Sequence, residues 1–321
     1  MGHAASPSGS VVVTGAAGFI GRALVAQLVA RGQPVTALLR RPSPAAPGAA
    51  ARIIGEITAE TEWAPILAGA RAVVHLANRA HVPLRTGEIG WIEAEAAAAR
   101  YLARAASQGG VERIVLLSSI KVLGERTDGK PFTAEDPPAP EDGYGLAKQR
   151  IEEAMREAMS GDTRLTILRP PLVYGPGVKA NFLAMLRLVD LGLPLPLAGI
   201  GNRRSFVFTD NLVDLIEAAL AHPAPEGTFL LRDDEEVSTP DLLRRIARQL
   251  GRPSRLFPCP APLLRWAAGA LGRRGMADRL LQSLRIDDGA TRARLGWSPR
   301  IGLDDGLAAT CRWYRDKAAR R

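Results

Sequence analysis

"VVVTGAAGFIGRALVAQLVARG", residues 11–32, opens on a β-branched run that ends at Gly15 and closes on a helical pattern that stops at Gly32. Gly15, Gly18 and Gly21 recur every third residue between the two, and residues 19–31 carry apolar side chains at helical spacing. The stretch predicts a strand, a tight turn and a helix. The same texture continues downstream. Further strands are expected at "PVTALL", "ARIIG", "AVVHLA", "RIVLLSS" and "RLTILRP", with helical patterns between them, notably at 91–107 and 144–159. Most of these strands read as continuous apolar runs, as expected when helices cover both faces of a sheet. Strand–helix alternation over 11–170 therefore predicts an α/β fold: a right-handed, doubly wound parallel sheet.

Beyond Pro170 the composition shifts to Pro- and Gly-rich segments, "PPLVYGPGVKANF" and "LGLPLPLAGIGNRR", which suit pocket-building loops. The expected organisation is a loose N-terminus at 1–10, a nucleotide-binding domain at 11–170 with 205–222 returning to it, and a smaller, mainly helical substrate lobe from 171–204 and 223–321. In particular "SFVFTDNLVDLIEAAL" reads as a strand and helix that rejoin the sheet.

The glycine turn has a chemical meaning. A helix N-terminus offers unpaired N–H groups and a partial positive charge to a diphosphate, and glycines let backbone and ligand approach closely. In a strand–turn–helix context this is the signature of a dinucleotide site on a Rossmann-type sheet. The end of the second strand discriminates the cofactor: an acid there bonds a ribose 2′-OH, whereas an arginine accommodates a 2′-phosphate. The chain has Arg40 and Arg41 and no acid at that point. NAD or NADP is expected, with Arg40 favouring NADP. An exposed arginine at a strand end is the plain alternative.

Bulk numbers narrow the class. Lys plus Arg number 42 against 33 Asp plus Glu, a net charge of +9, which suits an anionic small ligand. Aromatic residues are only 5% and the basic residues are scattered, so a nucleic-acid stacking surface is not expected. Two distant cysteines, Cys259 and Cys311, and four scattered histidines predict neither a disulfide scaffold nor a metal centre. "MGHAASPSGS" has neither the basic nor the apolar part of a secretion signal. No apolar run reaches the ~20 residues that span a bilayer, and "PAPLLRWAAGALG" is interrupted by Arg265. The expectation is a cytoplasmic protein with no integral membrane segment.

In "EDGYGLAKQR", residues 141–150, Tyr144 lies one helical turn before Lys148, so phenol and ammonium can share one pocket. Chance surface pairs of this kind are common. "LLSSIKVLG" ends the fifth strand in Ser118 and Ser119, at the carboxyl edge where doubly wound sheets bind ligands.

Taken with "TGAAGFIG", "HLA" at 75–77, "RPPLVYGPG", "RSFVFTDNLVD" and "LGWSP", the chain resembles the extended short-chain dehydrogenases/reductases, in particular the NAD-dependent epimerase/dehydratase group acting on nucleotide sugars. The resemblance runs from about Val11 to Leu307. It implies Tyr144 as acid/base, Ser119 as hydrogen-bond partner of the reacting sugar oxygen, and Lys148 holding the nicotinamide ribose. Bringing a phenol from about 10 to about 7 takes roughly 4 kcal/mol. One cation at ~4 Å supplies about that at an effective dielectric near 20, so Lys148 and an oxidised nicotinamide are expected to lower the Tyr144 pKa.

The resemblance also implies cofactor contacts from Gly15, Gly18, Phe19, Ile20, Gly21, Glu56, Leu76, Ala77, Pro170 and Val173, beside Arg40, Tyr144 and Lys148. Substrate contacts would come from Ser119, Lys121, Asn181 and Arg204, the last through bidentate bonds to a diphosphate. Glu56 stands where relatives often carry an Asp. His75 reads as a packed strand-end residue, and His81 could reach substrate but is not expected among the site residues.

Dehydratases of the group carry Thr-Asp-Glu where this chain has Ser119, Ile120 and Lys121, so elimination of water is not expected. "SSIKVLGE" resembles the branch handling UDP-N-acetylhexosamines for surface polysaccharides. The implied reaction is hydride transfer at C4 of a UDP-hexose or UDP-N-acetylhexosamine, as a 4-epimerase or a 4-ketoreductase. Arg40 tilts toward reduction and overall resemblance toward epimerisation, with Leu123 standing where many epimerases have Tyr. Other readings are an NADP-dependent reductase of a non-nucleotide ketone and a non-catalytic NADP(H)-binding regulator. The assembly state stays open, a homodimer among the options.

Overall fold

Val11, Val12 and Val13 are each fully buried, yet they belong to two different cores: Val11 and Val13 face one side of the sheet and Val12 the other. That period-2 alternation with both faces covered is why β1 (Ser10–Thr14) reads as an unbroken apolar run. A computed structural model describes residues 9–78, 89–223, 226–270, 272 and 274–319 of the chain. β1 starts inside the segment expected to be loose, because the Ser10 amide donates to Gly69 O at 3.1 Å.

Chain order then gives α1 (Phe19–Ala30), β2 (Val35–Leu39), β3 (Ala50–Ile53), the short α2 (Ala64–Leu67), β4 (Ala70–His75) and α3 (Ile89–Gln108). β5 (Arg113–Leu117), a 3₁₀ turn at Ile120–Val122, α4 (Gly143–Ala158) and β6 (Arg164–Arg169) follow. Seven parallel strands form the main sheet in the order β3-β2-β1-β4-β5-β6-β9, where β9 is Gly227–Leu230. The order reverses at β1, so a crevice opens above the carboxyl ends of β1 and β4. The edge strand β3 departs from the expected buried run, all four of its residues being exposed.

One element is placed differently from expectation. Pro170 and Pro171 follow β6, and proline has no N–H to extend a ladder. The chain leaves the sheet there, and β7 (Leu172–Tyr174) pairs with β8 (Phe206–Phe208) in a separate two-stranded ribbon. The strand at 205–208 therefore does not rejoin the main sheet. Its helix, α6 (Thr209–Ala221), does pack on it beside α1, and β9, expected in the substrate lobe, supplies the seventh strand.

The second lobe is built by α5 (Ala180–Asp190), α7 (Thr239–Leu250), α8 (Ala261–Ala270), α9 (Arg274–Leu281) and α11 (Leu303–Ala319), while α10 (Gly289–Leu295) returns to the sheet, Leu295 joining the sheet's core and the Thr291 hydroxyl donating to Leu230 O of β9. Phe182, Leu186, Leu243, Ile246 and Leu307 form the lobe's core with Tyr174, Phe206 and Phe208 of the ribbon. The Tyr174 hydroxyl donates to buried Asp233 at 2.9 Å, so this tyrosine is core. Among the described residues no helix is long and apolar enough to cross a membrane, and no group of acids, histidines and cysteines is placed to hold a metal ion.

Candidate active site

The glycine turn is packed to its limit. A Cβ added at Gly21 would lie 2.2 Å from Gly15 O and 2.8 Å from the Ala16 Cα, so only glycine lets α1 dock this closely on the end of β1. α1 begins at Gly18 with no side-chain cap and no acid in its first turn, leaving its N–H groups and partial positive charge for a ligand. Behind the turn, Thr14 Oγ1 accepts from the amides of Leu76 and Ala77, both at 3.1 Å, pinning the chain after β4 beneath the crevice. With both acceptor sites of Thr14 used, its proton goes to His75 Nδ1 at 3.0 Å. His75 is thus held neutral: burial first, and the charge of Lys148 second, push it down to about 3. It is a packed strand-end residue.

At the end of β2, Arg40 pairs with Glu56 at 3.5 Å, both side chains being exposed. A cavity of about 200 Å³ opens nearby over the β1–α1–β2 crossover, lined among others by Ala16, Arg22, Leu39 and Ala46.

Tyr144 comes from the first turn of α4, whose N-terminus is capped by Asp142 accepting from the Gly145 amide at 2.8 Å. A Cβ at Gly145 would fall 2.5 Å from Lys121 O, so a glycine beside the tyrosine lets α4 press against the turn after β5. That contact brings the phenol within hydrogen-bonding reach of the Ser119 and Asn78 side chains. Ser119 Oγ accepts from the Lys121 amide at 3.2 Å. The Oδ1 atom of Asn78 is buried without a hydrogen-bond partner. Lys148, one turn on, is buried and donates to Leu117 O at 2.7 Å.

The electrostatics differ from expectation. Burial, chiefly, and the Asp142 charge push the Tyr144 phenol up to about 12, against hydrogen bonds to Asn78 and Ser119 that pull it down. Lys148 is itself lowered to about 8 by burial, with Glu95 and Glu152 opposing. An ammonium anchored on a backbone carbonyl does not make Tyr144 a phenolate in the protein alone.

Beneath Lys148 lies a buried ion pair. Glu152, 1% exposed, accepts from Arg169 Nε at 2.9 Å and Nη2 at 2.6 Å, and also from Ser118 and Arg156. This ties α4 to the ends of β5 and β6, the strands that carry Ser119 and Pro170. Sequence reading missed Glu152, Asp142 and Asn78. Asp142 carries a local signal, the spacing of a helix cap, whereas Glu152, four residues after Lys148, and Asn78, after the fourth strand, have only their positions.

The remaining expected contacts are more dispersed. The Lys121 ammonium is taken up by Glu125 and Asp142, and Glu125 also pairs with Arg279 of α9 at 3.1 Å. Arg204 donates from Nη1 to the carbonyls of Arg279 and Gln282, and burial lowers it to about 10. Asn181 is exposed in the first turn of α5. Pro170 O accepts from the Ile120 amide at 3.0 Å, and Val173 is in β7, so both lie beside the site's frame. Phe19 and Ile20 open α1. His81 lies outside the described residues.

These parts fit a dinucleotide: an uncapped helix N-terminus against a glycine turn, backbone pinned below it, and an unsatisfied amide oxygen beside the phenol. Comparisons agree. Residues 11–230 match the model of the NAD dependent epimerase/dehydratase family. The chain is 37% identical over 316 residues to a Vibrio cholerae UDP-glucose 4-epimerase, covering 95% of each chain. It is 31% identical to a Streptomyces 3-diazoavenalumate denitrifying reductase, covering 90% of this chain and 95% of the other. The solved structure of MoeE5 in complex with UDP-glucuronic acid and NAD superposes with a TM-score of 0.77 at 26% identity, covering 96% of this chain and all of that one. The chain accordingly belongs to the NAD dependent epimerase/dehydratase family, as an enzyme of the extended short-chain dehydrogenase/reductase type.

Proposed function

We infer that the enzyme inverts the configuration at C4 of a UDP-hexose or UDP-N-acetylhexosamine. The observation that carries this reading is the convergence of Tyr144 with Ser119 and Asn78, one helical turn before buried Lys148, with the chain before Asn78 packed against the glycine turn. The name of the 37% identical relative and the ligands of MoeE5 support it. When bound, NAD or NADP supplies the hydride acceptor for C4 and, in its oxidised form, a positive charge.

The chain's own groups handle the proton. Tyr144 takes it from the 4-hydroxyl as the C4–H bond is broken and returns it when the 4-ketone is reduced. Ser119 donates to the same sugar oxygen, and Asn78 orients the phenol. A phenol at about 12 gives up its proton reluctantly, so the site must gain positive charge to work near neutrality. Lys148, at about 8, loses its ammonium as the pH rises through that value. Arg204 and Asn181 are assigned to the nucleotide diphosphate on the lobe side.

Arg40 at the end of β2 favours a second reading, an NADPH-dependent ketone reductase. The decisive assay incubates the protein with UDP-glucose and with UDP-N-acetylglucosamine and follows C4 inversion by NMR, with Tyr144→Phe as control. Inversion lost in the variant is expected, with cofactor binding kept. Absence of inversion alongside Tyr144-dependent consumption of NADPH on a ketone replaces the epimerase reading with the reductase one.

A further inference from the structure

Lys121 was expected to contact substrate, and the structure gives each part of it another task. Its amide donates to Ser119 Oγ at 3.2 Å, which fixes the serine side chain. Its carbonyl faces Gly145, where an added Cβ would fall 2.5 Å away, so the first turn of α4 is seated directly on it. Its ammonium donates to Asp142, the cap of that same turn, and to Glu125. Ser119 and Tyr144 come from different elements, and Lys121 holds the surroundings of both.

The charges beside it balance. The carboxylates of Asp142 and Glu125 face the cations of Lys121 and Arg279, with Arg279 Nε of α9 lying 3.1 Å from Glu125 Oε2. Glu141 is turned to the same loop, its Oε1 accepting from the Glu125 amide at 3.2 Å. Arg204 follows on the lobe side, resting on the Arg279 and Gln282 carbonyls. On α4 itself Tyr144 has Lys148 one turn on. Burial works against the Asp142 charge, yet hydrogen bonds from Lys121 and the Gly145 amide hold this carboxyl below its usual range. It therefore stands as a carboxylate, and after burial its charge is what raises the Tyr144 phenol. Without the ammonium, Asp142 and Glu125, only 29% and 18% exposed, would be left with unshared like charges in one place.

We propose that Lys121 is a positioning residue of the hydride-transfer site: it clasps Ser119 to the first turn of α4 and offsets the Asp142 charge beside the phenol, while Glu125 and Arg279 carry the clasp to the second lobe. The proposal rests on the reading of Tyr144 as the acid/base. A residue that met an anionic substrate would keep its ammonium free, whereas two of the three N–H groups here are spent on carboxylates.

The test compares Lys121→Met, Lys121→Arg and Lys121→Met/Glu125→Gln in the full-length protein. Nuclear magnetic resonance of isotope-labelled tyrosine follows Tyr144, whose signal is the one lost in Tyr144→Phe. Tyr144 should begin to titrate about one pH unit later in Lys121→Met, and the added Glu125→Gln, which removes one unshared carboxylate, should bring it back toward the parent. Asp142→Asn, which can still cap the helix, should move it the opposite way and keeps the test decisive should Lys121→Met fold poorly. On a UDP-sugar, Lys121→Met should lower kcat about tenfold near neutrality and move the acid limb of the kcat profile up by about one unit. KM should stay within about threefold, and Lys121→Arg should regain most of the turnover. A tenfold rise in KM with the Tyr144 titration unmoved assigns Lys121 to the substrate and overturns the proposal. So does lost turnover that leaves the titration unmoved in every variant, which marks a merely structural residue. The titration needs no substrate: a protein that shows the shift yet inverts no C4 loses the epimerase reading and keeps Lys121 as the residue that positions Tyr144.

Discussion

Replacing Glu152 by Gln tests the frame of the active site. Glu152 and the Arg169 side chain are 1% and 4% exposed, and their two hydrogen bonds, at 2.9 and 2.6 Å, make a bidentate pair. Gln keeps the shape and one acceptor, but it leaves the Arg169 guanidinium buried without its counter-charge. Arg156, with 45% of its side chain exposed, can turn to water. Breaking a buried pair from one side costs about 3–5 kcal/mol. With ~2.1 cal/mol/K of unfolding entropy per residue over 321 residues, Tm should fall by about 4–7 °C. Glu152 also helps hold the Lys148 ammonium against burial. Removing a carboxylate one helical turn away, at an effective dielectric near 20, is worth on the order of 2 kcal/mol. The alkaline limb of the kcat–pH profile should therefore move to lower pH by about one and a half units. Differential scanning fluorimetry and a pH–rate series read the two effects. Glu152→Leu/Arg169→Met, which removes both charges, should recover most of the stability. A Glu152→Gln protein with parental Tm and an unmoved alkaline limb would refute the assignment of Glu152 as the support of Lys148.

Gly21→Ala places a Cβ 2.2 Å from Gly15 O, so the helix must retreat; a loss of about 1–3 kcal/mol and of most NAD(H) affinity by calorimetry is expected. Parental affinity would contradict the close docking of α1. His75 is at about 3 in the folded chain and near 6.5 when unfolded, so the unfolded chain binds the extra proton between those values. Stability should fall as the pH drops from about 6.5 toward 3, by at most roughly 4–5 kcal/mol, and His75→Asn should flatten that fall in Tm measured against pH. An equally steep fall in the variant assigns the acid sensitivity elsewhere. Arg40→Ala should weaken NADPH more than NADH in paired titrations, by about tenfold for one lost contact to a phosphate; equal losses would remove Arg40 as a 2′-phosphate residue.

The order of strands and helices up to β6 was legible because each element carries its own period. Val11–Val13 and Ile114–Leu116 announce strands covered on both faces, and the pattern after Gly18 announces α1. Tyr144 and Lys148 were legible for the same local reason, four residues on one helix. The partners of these residues were not. Asn78, Glu152 and Arg169 reach the site from β4, α4 and β6, and nothing local marks a charge as buried and paired. The burial that raises the phenol in the protein alone was not legible either, since charge separation can be guessed from spacing, whereas desolvation depends on what packs above the helix.

Local sequence thus determined which segments become strands, which turn cradles a diphosphate and which side chains share a helical face, because those depend on neighbours within a few residues. Tertiary structure alone decided that β9 completes the sheet, that Lys148 rests on the Leu117 carbonyl, and that the Lys121 ammonium meets Asp142. Strand partners, burial and exposure arise from contacts between segments far apart in the chain, and their energies exist only once those segments meet.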